Sequence, residues 1–204
     1  MPLSAPVERE HLHTRPVECR GYFRNDGLWD IEGHITDNKT YAHQSGYARF
    51  LEVGQPVHEM WIRLTVDENY LIHDVEAVSD HIPYAACTSI TPNFKRLIGL
   101  SVRKGFRRAA RERLGGREGC THLLELLGPV STTAFQTIQA ERAQRLIAEH
   151  RAKTGKPPMR QRPPGEKVSI LDTCVSWTSD GEAVRRTYPD LYTGPNSGSG
   201  TPSS

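Results

Sequence analysis

A thiol and an imidazole two residues apart, in Cys120-Thr121-His122, open an apolar helical run. At a helix N-terminus both side chains can face one centre. Cys87 falls at the junction of the last strand and the first helix, and Cys174 lies in a late segment that can return to the core. Cys87, Cys120, His122 and Cys174 therefore form a candidate Cys₃His set of the kind that tetrahedral zinc favours, with iron as the other metal expected. The same residues admit a nucleophilic reading, because helix-terminal amides lower a thiol pKa and His122 can supply a base or a cation to Cys120. They also admit a plain one, in which each cysteine is a small buried hydrophobe and His122 a satisfied polar group at a helix end.

Asp30, Glu32 and His34 alternate along one strand and project from one face, opposite Trp29, Ile31 and Ile35. Paired carboxylates with an imidazole can hold a divalent metal or share general acid–base work, and His73, Asp74 and Glu76 lie on another strand. The alternative is a solvated outer sheet face. Arg103, Lys104, Arg107, Arg108, Arg111, Arg113 and Arg117 crowd one helix and its flanks, which suits a small anionic ligand, a phosphate-bearing partner such as nucleic acid or a nucleotide-containing thioester, or else simply a solvated helix. Nucleic acid is not expected, since no phosphate loop, RNA-binding signature or interleaved aromatics accompany the run. His11, His13 and Arg15 precede the first long strand, where they either reach a site or stay exposed.

The elements that must position these groups read as α+β. Pro16 to Asp37 forms two strands joined at Asn25-Asp26-Gly27, residues 38–56 a crossing loop, Val57–Val66 a third strand and Tyr70–Ser79 a fourth, with Ile72, Asp74, Glu76 and Val78 on one face. The result is a mainly antiparallel β-meander of about four strands, followed by three or so helices packed on one face. The helices begin at Thr91-Pro92, at Phe106 and near Thr121; Gly115-Gly116 ends the second, Gly128-Pro129 breaks or kinks the third, and its continuation frays near His150. The core domain spans 1–152, a Pro-rich basic connector 153–167, a segment docked back on the core 168–192, and a disordered tail 193–204.

With 36% hydrophobic and 25% charged residues among 204, the chain is of globular type and long enough for one sizeable core. Its net charge of +2 conceals an asymmetry: residues 26–85 hold 11 acidic against 3 basic side chains. No apolar run reaches the roughly 18 residues of a membrane span and no secretory leader is legible at the start, so the expected place is the cytoplasm, where cysteines stay reduced.

Taken together, RGYFRNDGLWDIEGHITDNKTY, the stretch from Met60 to Pro92, GGREGCTHLLELLGPVSTTAFQTI, LDTC and YPDLY resemble the bacterial domain-of-unknown-function family 2889. The resemblance covers nearly the whole chain before the tail and implies no particular activity. The architecture, with one cysteine before a helix and another opening a later one, is also similar to IscU/NifU-type iron–sulfur scaffolds. Those scaffolds carry an Asp two residues after their first cysteine, where this chain has Ser89, and a further cysteine between the two matched ones, so their function is not carried over. The expectation is a cytoplasmic protein binding zinc or iron through a Cys/His cluster. The alternative is a small-molecule enzyme using Cys120 or the Asp/Glu/His face on an anionic substrate.

Overall fold

The computed structural model describes residues 3–47, 49–156, 168 and 170–195. Two compact units divide at residues 157 and 158. The first is α+β, as expected. Its main sheet is built on β3 (Trp29–Lys39), which pairs antiparallel with β2 (Val17–Phe23) and the short β1 (His13–Thr14) on one side and with β6 (Pro56–Val66) on the other; β7 (Ile72–His81) completes it beyond β6. The β2–β3 hairpin turns at Gly27, whose φ of 84° needs a residue without a Cβ. The crossing loop is more structured than its composition predicts: β3 runs on to Lys39, and β4 (His43–Ser45) pairs with β5 (Arg49–Leu51) as a separate ribbon.

Strand alternation divides the sheet into two chemistries. On β3 the row Trp29, Ile31, Gly33, Ile35, Asp37 is buried, while Asp30, Glu32, His34 and Thr36 are only half-buried on the opposite face. The buried row meets Val66, Leu64, Ile62, Met60 and His58 of β6 rung by rung. On β7 the sequence pattern misleads. Ile72 is buried with Val75, whereas Asp74, Glu76 and Val78 point outward. The reason is a register shift between Thr65 and Val66, which inserts an extra residue into β7 and reverses its alternation after Ile72.

The helices cover the apolar face. Residues Ala85–Leu97 form a 3₁₀ helix that begins earlier than Thr91-Pro92 suggests; the hydroxyls of Thr88, Ser89 and Thr91 each donate to the carbonyl three residues back, and Phe94 and Leu97 are buried. Helix α1 (Phe106–Leu114) ends before Gly115 as predicted. Helix α2 (Thr121–Thr154) is a single element of 34 residues, so Gly128-Pro129 does not divide it and it does not end at His150; it closes at Gly155, whose φ is 74°. Tertiary packing outweighs the lost amide donor, because Leu123, Leu126, Leu127, Val130, Ala134 and Ile138 are all buried along one face spanning the proline. Two glycines let α2 lie close to the sheet. A Cβ on Gly33 would approach Val130 to 2.5 Å, and one on Gly21 would overlap the side chain of Thr137.

The second unit contains a 3₁₀ turn at Val175–Trp177, α3 (Glu182–Thr187) and a 3₁₀ turn at Pro189–Leu191, with the Trp177 and Tyr188 rings 6.0 Å apart. Of the expected connector, residues 153 and 154 belong to α2 and 157–167 lie outside the described residues; so does the expected tail from 196 onward. Among the described residues no helix is long and apolar enough to cross a membrane.

Candidate metal centre

The apolar rows of β3 and β6 both end in polar side chains. Asp37 occupies the position that alternation assigns to a core residue and is 4% exposed. His58, its direct partner across the strand pair, continues the line of Met60, Ile62 and Leu64. The pairing shifts register between Asp37 and Asn38, just past this rung. The third side chain comes from the entrance of α2, where His122 follows the N-cap residue Cys120 by two positions. Packing of the Leu123, Leu126 and Leu127 turn against the sheet brings His122 down onto His58, and their ring centroids are 4.0 Å apart.

Asp37 is the hub. Its Oδ2 accepts from His58 Nδ1 at 3.1 Å and from Arg15 Nη2 at 2.8 Å, and it lies 3.6 Å from His122 Nε2. Its Oδ1 accepts from Arg15 Nε at 2.7 Å and faces His13 Nε2 at 2.9 Å. Arg15 also donates through Nη1 to Glu125 on α2 at 2.9 Å. Asp37, His58 and His122 each offer one ligand atom within 4.8 Å of the others, and among the described residues they are the group of this kind. Ligand atoms bonded at about 2.0–2.2 Å to one first-row metal lie roughly 3 Å apart, close to the 3.1 and 3.6 Å separations of His58 and His122 from Asp37, whose oxygens also hold Arg15.

The electrostatics suit neutral nitrogen donors beside an ionised oxygen donor. Burial pushes the Asp37 carboxyl up, but the Arg15 guanidinium, with His13 and His58, more than reverses this and holds it at about 2. Burial pushes both imidazoles down: for His58 the neighbouring His122 adds to the effect and Asp37 opposes it, and for His122 Arg15 adds to it while Asp37 and Glu125 oppose it. Both histidines are therefore unprotonated at neutral pH, the form that ligates metal.

These directions set a pH dependence. A histidine with a lowered folded pKa destabilises the fold as pH drops through 6.5, its unfolded value, because the unfolded chain then binds the proton first. A carboxylate with a lowered folded pKa contributes stability above 3.8 that is lost as pH falls toward 2. In metal-free protein, urea midpoints should therefore fall in two stages, one starting near pH 6.5 and one below pH 4. The first stage should flatten in a His58→Gln, His122→Gln double variant. A wild-type profile level from pH 7 to pH 5 would contradict the buried neutral imidazoles.

The residues singled out from sequence fall in three places. Cys120 and His122 do meet, with Sγ 3.8 Å from His122 Nδ1, but the Cys120 sulfur also lies 3.8 Å from Met60 Sδ and outside the group around Asp37. Cys87 is half-buried on the Ala85–Leu97 helix, and Cys174 is exposed in the second unit. The cluster among the described residues is thus His/His/Asp in composition and contains no cysteine. Its residues come from the ends of the two central strands and a helix entrance, whereas Cys87 follows the edge strand β7.

Asp30, Glu32 and His34 share the outer face, on the opposite side of β3 from Asp37, and each is engaged. Asp30 accepts from Thr65 Oγ1 at 2.7 Å and Arg24 at 3.2 Å, Glu32 accepts from Arg63 at 2.8 Å, and His34 lies 3.0 Å from Glu59 while stacking on Trp61 at 3.5 Å. Sequence reasoning missed Asp37 and His58. The available signal was phase: both polar residues continue a buried apolar row, where a polar group needs partners.

The model of the family described as Protein of unknown function (DUF2889) matches residues 13–136, which include every side chain of this centre. No curated protein and no solved structure matches the chain.

Proposed function

We propose that this chain, which belongs to the family of proteins of unknown function DUF2889, binds a divalent transition-metal ion through Asp37, His58 and His122. The observation that carries this reading is the convergence of two imidazoles and one buried carboxylate, their ligand atoms within 4.8 Å of one another, at the end of a buried apolar row. Two nitrogens and one oxygen suit zinc or iron, and three protein ligands leave coordination positions open, as in metal sites that act on a bound molecule. With Arg15 and Glu125 the cluster holds two carboxylates against one guanidinium, so a net negative charge remains to balance a cation. Cys120 beside Nδ1 of His122 leaves Nε2, the nitrogen nearer Asp37, as the donor atom. The four free thiols fit a cytoplasmic setting.

The test is the metal content of protein purified without a chelating column, followed by titration with zinc and, without oxygen, ferrous iron. One ion per chain and a raised melting temperature are expected, because an ion that binds the folded state stabilises it. His122→Ala should weaken binding by at least about a hundredfold, while Cys120→Ala, next to a ligand, should cost about tenfold or less. Protein that is metal-free and gains no thermal stability from either ion contradicts the reading. Equal losses in the two variants would return the centre to the cysteines.

A further inference from the structure

We propose that the groove adjoining the Asp37 centre binds a small organic monoanion, a carboxylate carried on an apolar body, with Arg107 as its anchor. The groove has a volume of about 450 Å³, within the roughly 300–1,000 Å³ typical of small-molecule sites. Its open apolar surface is Val17 and Pro129, lying over the fully buried Ile35 and Leu126, and its charged groups are Arg107 and Glu125. Each wall continues an element of the metal centre. Ile35 precedes Asp37 by two residues on the same buried row, Val17 follows Arg15 by two, and Leu126 lies one turn beyond His122 on α2. A molecule in the groove therefore lies alongside the centre.

The two charged groups differ in state. Glu125 is taken by Arg15 at 2.9 Å. Arg107 has no hydrogen bond or ion pair among the described residues, although its guanidinium runs along α2 within 4 Å of where a Gly128 side chain would begin. An unpaired guanidinium at the edge of an apolar groove recognises a planar anion through two parallel N–H donors. Among the described residues Arg107 is the one basic residue lining the groove, and a single guanidinium offers one planar pair of donors, which favours a monocarboxylate over a phosphate dianion. The proposal depends on the metal reading only for what the anion lies beside; the anchor and the walls stand without the ion.

The experiment is a calorimetric titration of the full chain, with and without zinc, using 4-phenylbutyrate, its neutral amide and inorganic phosphate as probes. Saturable binding of 4-phenylbutyrate is expected, at least about tenfold weaker for the amide and for Arg107→Gln protein, one lost charge-assisted contact being of that size. Arg107 is exposed, so the variant should keep the wild-type melting temperature, which checks that it folds. Amide binding as tight as the acid, an unchanged Arg107→Gln affinity, phosphate binding tighter than 4-phenylbutyrate, or no binding in either metal state would each overturn the proposal. Acid binding that survives in protein unable to take zinc would remove the metal reading and leave this one standing.

Discussion

Replacing Asp37 by Asn should abolish metal binding, by about a hundredfold or more in affinity, and lower stability at pH 7 by about 2 kcal/mol. The first effect follows from losing the one anionic ligand, which both imidazoles approach. The second follows from linkage, since a carboxyl 5% exposed and held at about 2 rather than 3.8 stabilises the ionised fold by roughly 2 kcal/mol. Arg15→Gln should act with opposite signs on the two measurements. It loses the bidentate pair and so some stability, yet it removes the cation that occupies both Asp37 oxygens and should tighten zinc binding by about tenfold. Calorimetric zinc titration and urea unfolding of wild type and both variants check this. If Arg15→Gln weakened zinc as much as Asp37→Asn, the guanidinium would be supporting the site and not competing with the ion.

Gly33→Val should cost about 3 kcal/mol, equivalent to roughly 6–12 °C in melting temperature for a chain of this size. Gly33 is buried in the middle of the row that ends at Asp37, and its absent Cβ is the space that Val130 and Leu126 of α2 fill. Backbone on a strand and the core of a packed helix have little freedom to retreat, so α2 must lift. Because His122 rides on the first turn of α2, the same substitution should loosen the three ligands and weaken zinc, although Gly33 touches none of them. Gly27→Ala, at an exposed turn with open space around it, is the control: it costs stability through its positive φ but should leave zinc affinity unchanged. Calorimetry and thermal melts on the pair separate the two effects. A Gly33→Val protein with wild-type zinc affinity would detach the position of His122 from the closeness of helix and sheet.

The class of fold, the β2–β3 hairpin and its Asn-Asp-Gly turn, the sheet-then-helix order, and the separation of Asp30, Glu32 and His34 from Trp29, Ile31 and Ile35 were all legible in the chain, because periodicity and turn chemistry are local properties. His122 was also legible as a candidate ligand from its place at a helix entrance. The remaining features depend on contacts between elements distant in sequence. The β7 alternation reversed because a bulge is set by pairing with β6, and α2 ran through Pro129 because burial of one face against the sheet outweighs one missing amide. The partners of His122 were decided by strand register: Asp37 meets His58 only because β3 and β6 pair as they do, and a shift of one residue would turn either side chain to the other face. Cysteines are the soft metal ligands of the chain, yet among the described residues the group that could hold one ion lies where two apolar rows end in a carboxylate and an imidazole under a helix entrance.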